Sequence, residues 1–275
     1  MSYRINSFIC SDKEVVSYEK RLSICTMSNG FSFSVVSGKD ELLALGDVEC
    51  DMSMPMAQLL IAIKSVFNDV KLQTFSMKET ELVVAARHFV WIPMHLFDEA
   101  KKRDYIEALH KVEVGETVIV DYNAAANANL VFTADNNLVS AFRIALPGLK
   151  VRAQHSKMVN QETLEASQMK SLLMMNVRNG ETDFAVFCNR KLQLSNTFDC
   201  VNLDEALYYA VNINNQLRLD DAPLTLALSG EVDKEAYDRV SGFFSNVVLY
   251  TGRNLSMSTD ELRSAPAYRY ALILS

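Results

Sequence analysis

Between residues 20 and 50 the chain alternates apolar and polar side chains in three runs, Leu22 to Met27, Phe31 to Val36 and Leu42 to Val48, separated by Asn29-Gly30 and by Gly38-Lys39-Asp40. A period of two puts every second side chain on one face of a strand, and Asn and Gly adopt the backbone angles that tight turns demand. These residues predict a three-stranded antiparallel meander. The period then lengthens. In MPMAQLLIAIKSVFN, Met54 to Asn68, the apolar residues Leu59, Leu60, Ile63, Val66 and Phe67 recur at helical spacing, and Pro55 suits a first helical turn. A helix lying across the meander is expected there.

Residues 172 to 217, LLMMNVRNGETDFAVFCNRKLQLSNTFDCVNLDEALYYAVNINNQL, repeat this order. Asn179-Gly180 stands 150 positions after Asn29-Gly30 (179 less 29), and the same separation relates Leu192 to Leu42 and Cys200 to Cys50. A helix over Leu203 to Leu217 falls where the first helix did. Two copies of strand-turn-strand-turn-strand-helix at constant spacing point to an internal duplication. The second copy continues with a strand, Leu224 to Ser229, a helix from Asp233 to about Phe244 with an acidic first turn, and a strand, Val247 to Tyr250. Three antiparallel strands, helix, strand, helix, strand is the order of a ribonuclease-H-like half.

In the first copy the counterparts are read in HFVWIPMHLF, where a β-rich run ends at Pro93 and a helix begins near Met94. Additions surround it: a strand pattern from Leu82 to Ala86, a charged helix over 98 to 111, and strands Thr117 to Asp121, Asn129 to Thr133 and Leu138 to Ile144. Leu149 to Gln154 reads as the returning strand, and a helix from about Asn160 to Lys170 as the crossing to the second half. The tail, APAYRYALILS, is dense in β-formers with Arg269 its only charge, and predicts a final strand, Tyr268 to Leu274. The organisation expected is therefore a first half over 1–165, carrying an inserted α/β segment around 95–148, and a second half over 166–275 that ends in a terminal strand.

Composition agrees with two medium domains or one large one, since 275 residues with 49% apolar positions suffice for a sizeable core. A net charge of −7, with no basic run longer than Lys101-Lys102-Arg103, argues against a nucleic-acid partner. The N-terminal stretch lacks a cationic start followed by an apolar run, and no uncharged apolar run approaches the roughly 20 residues a membrane helix needs. A cytoplasmic protein without membrane insertion is expected. The five cysteines, Cys10, Cys25, Cys50, Cys188 and Cys200, are odd in number and form no CxxC pair, so they read as small buried apolar residues. His88, His95, His110 and His155 show no metal-ligand spacing, although His88 and His95 are near neighbours in sequence; no metal site is expected.

Two such halves in tandem, the first enlarged by an insertion, resemble the actin-like ATPase superfamily. HFVWIPMHLFDEAKKRDYI, together with VIVDYN and NLVFTADNNLVSAFRIALPGLKVRAQHS, resembles more narrowly an uncharacterised bacterial family known as domain of unknown function 3822, for which no activity is established. The resemblance implies an α/β fold with mixed sheets and a nucleotide site between the halves. It also implies, in each half, a first hairpin of the form Asp-x-Gly whose backbone N–H groups hold phosphates while the Asp binds Mg²⁺ and its waters. Here those hairpins read Ser28-Asn29-Gly30 and Arg178-Asn179-Gly180, and both carboxylates are absent. Ser28 offers no anion to a hard cation; Arg178 would repel the metal while attracting a phosphate.

The third element implied, a Gly-Gly turn before a helix, is Ser229-Gly230 here, followed by Glu231 and Asp233. Those charges suit a helix N-terminus and disfavour a phosphate, so the same residues read rather as a plain strand-to-helix turn with Asp233 near the cap. Ser28, Asn29, Gly30, Arg178, Asn179, Gly180, Ser229 and Gly230 are thus the candidate cofactor-binding residues of a remnant nucleotide cleft. Catalytic residues are unassigned.

The leading expectation for function is an actin-like protein that lacks efficient ATP hydrolysis and acts as a binding or scaffolding module. No cofactor is expected, ATP with Mg²⁺ being unsupported by the hairpin motifs; an unidentified protein partner is, with a homo-oligomer left open. The alternative is an ATP-dependent phosphotransferase or ATPase whose metal ligands are displaced to Asp183 or to Asp121, which also reads as a turn residue capping its own backbone. A third reading treats the repeat as accidental and the chain as some other α/β protein. Cys25 or Cys188 paired with His155 would make a nucleophile and base, against which stands the ordinary burial of cysteines within alternating strands.

Overall fold

The computed structural model describes residues 3–11, 19–72, 77–257 and 259–275. In chain order the first half contains β1 (Tyr3–Cys10), β2 (Lys20–Met27), β3 (Gly30–Ser37), β4 (Glu41–Cys50), α1 (Met56–Asp69) and β5 (Met77–Val84). It continues with β6 (Phe89–Pro93), α2 (Lys102–Glu107), β7 (Glu116–Asn123), β8 (Ala128–Asp135), α3 (Asn136–Ala145) and β9 (Lys150–Ala153). Two short helices, α4 (Gln154–Met158) and α5 (Gln161–Ala166), lead across to the second half. That half contains β10 (Ser171–Arg178), β11 (Glu181–Cys188), β12 (Lys191–Asp199), α6 (Leu203–Leu217), β13 (Leu224–Gly230), α7 (Lys234–Ser241) and β14 (Val247–Leu249). The short β15 (Ser256–Met257), α8 (Asp260–Ser264) and α9 (Ala271–Leu274) close the chain.

The two meanders are copies in topology. One sheet runs β4-β3-β2-β5-β9 with β1 added beside β4; the other runs β12-β11-β10-β13-β14. In both, the first three strands are antiparallel and the next two join parallel to the first. Even the irregularities agree. The register shifts between Val35 and Val36 against β4, and at the matching place between Val186 and Phe187 against β12. Each sheet buries one face under two helices. Phe31 of β3 meets Phe67 of α1 and Phe142 of α3 edge-on, with ring centroids 6.4 and 5.6 Å apart. In the second half Phe184 and Val186 are packed with Ala210 and Ile213 of α6 and Val240 of α7.

Several elements differ from expectation. The first half's fourth strand is β5, which lies parallel to β2; HFVWIP forms β6 in a separate three-stranded sheet, β6-β8-β7. The extra strand and the counterpart are therefore exchanged, because pairing partners are non-local and a short apolar run does not name its own. A single 3₁₀ turn, Met94–Leu96, replaces the helix near Met94, and the charged helix is a 3₁₀ turn, Glu99–Lys101, continuing into α2.

The Leu138 to Ile144 strand is instead α3. Asp135 caps it, its carboxylate accepting from the Leu138 N–H at 2.7 Å, and Val139 and Phe142 recur at helical spacing into the core. The tail strand, Tyr268 to Leu274, is a 3₁₀ turn, Ala267–Tyr270, followed by α9. Burial of Tyr270 to Leu274 between the halves overrides their β propensity, since that space offers them no sheet edge. β1 escaped the sequence reading: it buries few side chains and is held by pairing to β4. Among the described residues no helix is long and apolar enough to cross a membrane.

A buried polar row beneath two facing hairpins

The first hairpin turns on Ser28-Asn29, because Met27 pairs with Gly30; the second turns on Asn179-Gly180, because Arg178 pairs with Glu181. The matching positions are thus Ser28 with Asn179 and Met27 with Arg178, one residue out of step with the 150-residue alignment. The separation returns to 150 only after the next loop, which holds three residues (Gly38 to Asp40) in the first half and two (Asn189-Arg190) in the second. Asn-Gly identity alone misaligned the tips. Arg178 accordingly stands where Met27 does, and Asn179 where Ser28 does.

The structure brings these tips together. Asn179 Nδ2 donates to Ser28 Oγ at 3.5 Å across the halves. Beneath them lies a cavity of about 230 Å³ whose wall includes Ser28, Arg178, Asn179 and Gly230. Gly30 and Gly230 are fixed by close approach: a Cβ would sit 1.9 Å from the Val48 carbonyl oxygen at the first and 2.1 Å from the Val177 carbonyl oxygen at the second. Ser229 lies on the sheet below, and Asp233 caps α7 by accepting from the Ala236 N–H at 2.8 Å.

Asp183 is the centre of the site. Register aligns Ser229, Asn176, Asp183 and Thr197 side by side on four successive strands. Ser229 Oγ donates to Asn176 Oδ1 at 3.0 Å, Asn176 Nδ2 to Asp183 Oδ2 at 3.0 Å, and Thr197 Oγ1 to Asp183 Oδ1 at 2.7 Å. Arg178, on the same face of β10 as Asn176, clamps both carboxylate oxygens through Nε at 2.8 Å and Nη2 at 2.9 Å, while Nη2 also contacts Glu181 at 2.9 Å. Gln154 Nε2 adds a fifth donor at 3.2 Å and ties the row to the first half through the Ala86 backbone. Five donors occupy the lone pairs of a fully buried carboxylate. Burial alone would raise its pKa; Arg178 foremost, with His155 and the hydrogen bonds, holds Asp183 far below the usual carboxylate range.

Proton counting then fixes the tautomer of His155. The single Thr197 hydroxyl proton goes to Asp183, so His155 Nε2–H donates to Thr197 Oγ1 at 2.8 Å, and Nδ1 accepts from Ser195 Oγ at 2.9 Å. Burial lowers the His155 pKa from 6.5 to about 4, the Asp183 charge opposing only in part, so the ring is neutral at pH 7. Both ring nitrogens being engaged, no Cys–His pair forms. The Cys25 thiol points to the Thr26 carbonyl and is pushed up to about 12 by burial, and Cys188 lies against Ser171. Among the described residues no cysteine is in a disulfide.

His88 stacks on His110 with centroids 4.6 Å apart and does not join His95; among the described residues no group of acids, histidines and cysteines is arranged to hold a metal. Asp121 is not a turn residue. It lies within β7 and accepts from Arg152 Nε at 3.2 Å through both oxygens.

One contributor had no signal in the strand pattern. The C-terminal segment enters between the halves and places Tyr270, Leu272 and Ile273 on the wall of the same cavity. Ser34 Oγ donates to the Ile273 carbonyl at 2.9 Å, Arg269 lies 3.4 Å from Asp47, and Lys157 Nζ donates to the Ser275 oxygen at 2.6 Å. Leu272 joins the core of the second half, while Ile273 and Leu274 pack with Val36, Leu42 and Leu45 of the first.

Two ribonuclease-H-like halves facing each other across hairpin tips define an actin-like ATPase fold. A crystal structure from Bacteroides thetaiotaomicron VPI-5482, of a protein with actin-like ATPase fold and unknown function, is similar over 85% of this chain and 91% of that one, with TM-score 0.70 and 21% identity. A chain of the PilM-PilN type IV pilus biogenesis complex is similar over 92% of this chain and 96% of that one, with TM-score 0.57 and 12% identity. At such identities the likeness shows the fold alone. No curated protein matches. The chain belongs to the family described as "Protein of unknown function (DUF3822)", whose model matches residues 12–247.

Proposed function

We propose that this protein is a cytoplasmic binding or scaffolding module on an actin-like frame, without efficient ATP hydrolysis. The observation that carries this reading is the occupation of the cleft by the chain's own residues. Tyr270, Leu272 and Ile273 line it from one side, and the space left under the hairpins, about 230 Å³, is smaller than the roughly 300–1,000 Å³ typical of small-ligand sites. The saturated Asp183 adds support, because a metal would have to displace Arg178 to reach it. A partner-facing surface fits the small sheet and its neighbours, where Met94, Leu96 and Leu109 are exposed. The PilM-PilN complex is a precedent for a protein of this fold working against another protein.

The deciding assay is phosphate release from ATP with Mg²⁺. The expected rate equals that of buffer. Release above buffer that depends on Mg²⁺ would overturn the proposal.

A further inference from the structure

A second and larger cavity, about 610 Å³, opens away from the hairpins, between β5 and the edge strand β9, β7 of the small sheet, and the loop after β14. Six cations line it: Arg21, Arg143, Lys150, Arg152, Lys157 and Arg253. Three carboxylates share the wall, Glu79, Glu81 and Asp121, and each is already answered. Glu79 lies 3.5 Å from Lys150, Asp121 accepts from Arg152 at 3.2 Å, and Glu81 accepts from Lys157 at 2.8 Å and from Ser23 at 2.6 Å. Against these six cations stand three side-chain carboxylates and the Ser275 oxygen that Lys157 also reaches at 2.6 Å, which leaves the wall with a cationic excess in a chain whose net charge is −7.

Arg21 is the telling member of this excess. Its Nε and Nη2 are buried, and neither has a hydrogen-bond partner among the described residues. Buried donors are nearly always satisfied, and a charged one left without an acceptor is the more costly case, so an absent anion is the natural acceptor. Arg21 shares a face of β2 with Ser23 by strand alternation, which sets it beside the Glu81–Lys157 pair. Burial first, and with it the charges of Arg152 and Arg21, presses the Lys157 ammonium towards its neutral form, against the pull of Glu81. An anion in the cavity relieves both strains. Arg253, which reaches Glu162 only at 3.8 Å, and the exposed Arg143 stand at the wall free to follow a ligand.

We propose that this cavity is a binding site for a small, multiply charged oxyanion, a phosphorylated or polycarboxylate molecule, gripped by Arg21 at its base and by Arg143 and Arg253 at its wall. The site lies outside the cleft and stands whether or not the cleft binds nucleotide.

The test follows melting temperature and calorimetric binding with sodium pyrophosphate and with citrate, at ionic strength matched by sodium chloride. Wild type is expected to gain melting temperature saturably with at least one probe; pyrophosphate alone assigns a phosphorylated ligand, and citrate alone a carboxylate. Arg21→Met removes the unpaired guanidinium, so it is expected to melt no lower than wild type without probe and to lose about tenfold or more in affinity. Arg143→Ser and Arg253→Ser change exposed side chains and are expected to weaken binding further with the fold intact. No saturable gain with either probe, or a gain that Arg21→Met and the Arg143→Ser/Arg253→Ser double variant both retain in full, overturns the proposal. Phosphate release from ATP plays no part in this readout, so failure here leaves the reading of the cleft untouched.

Discussion

Replacing Asp183 by Asn keeps the shape of the side chain and removes its charge, which isolates the electrostatics of the buried row. The carboxylate accepts three hydrogen bonds on Oδ1, from Gln154, Thr197 and Arg178, and two on Oδ2, from Asn176 and Arg178. An amide can turn its oxygen to only one side. With the NH₂ on the Oδ2 side it loses the bonds from Asn176 and from Arg178 Nε and sets donor against donor. Two lost bonds, one of them to a charged donor, together with a guanidinium left half-compensated, put the cost at about 4 kcal/mol. Glu181, 2.9 Å from Arg178, keeps it from being larger.

Chemical denaturation should show that loss, and melting should fall by roughly 2–4 °C per kcal/mol for a chain of this size. Arg178→Met alone should also destabilise. The double variant should be more stable than the sum of the singles predicts, by about 2 kcal/mol, because an apolar stem no longer faces the amide with unsatisfied donors. A loss under about 1 kcal/mol for Asp183→Asn, or additivity of the two changes, would refute the reading of the row as a charge-compensated network centred on the Asp183–Arg178 pair.

Two further outcomes follow from the same geometry. His155 has its folded pKa depressed to about 4 from 6.5, so the unfolded chain binds more protons in that window, and stability falls as pH drops from 6.5 towards 4, by about 3 kcal/mol in all. Asp183, depressed as well, adds a further loss below the usual carboxylate range; denaturation midpoints from pH 8 to 4.5 should slope accordingly, and a slope unchanged in His155→Gln would contradict the assignment. Ile273→Ala removes a fully buried side chain that seals the cleft and should cost about 2–4 kcal/mol, with faster amide exchange in β2 and β3 beside it; exchange unchanged in those strands would show that the tail does not secure the cleft.

The sequence by itself determined what depends on near neighbours. Alternation from Leu22 to Val48 and from Leu172 to Phe198, the turn residues between them, and the helical spacing of Leu203 to Leu217 are local properties, and they laid out both meanders and their helices. The duplicated fold was legible from them. The reading of α3 failed at the same level: Asp135, three residues before Leu138, caps a helical repeat, but the β propensity of Val139, Phe142 and Ile144 pointed to a strand.

What only the tertiary structure decided is which local pieces meet. β5 and β6 are both short apolar runs, and nothing within either says which one will lie beside β2. Strand pairing, with Arg178 opposite Glu181 as Met27 is opposite Gly30, set Arg178 at the equivalent of Met27 rather than of Ser28 and within reach of Asp183. The row Ser229-Asn176-Asp183-Thr197 exists only once four strands are in register. The tail became a helical plug because the space between two halves, absent from any local window, was filled by its apolar side chains. Ser28-Asn29-Gly30 and Arg178-Asn179-Gly180 were visible as hairpin turns from the start, but their contact across the cleft and the segment that fills the space beneath them are products of long-range packing. Local periodicity sets the elements, while register and burial set the site.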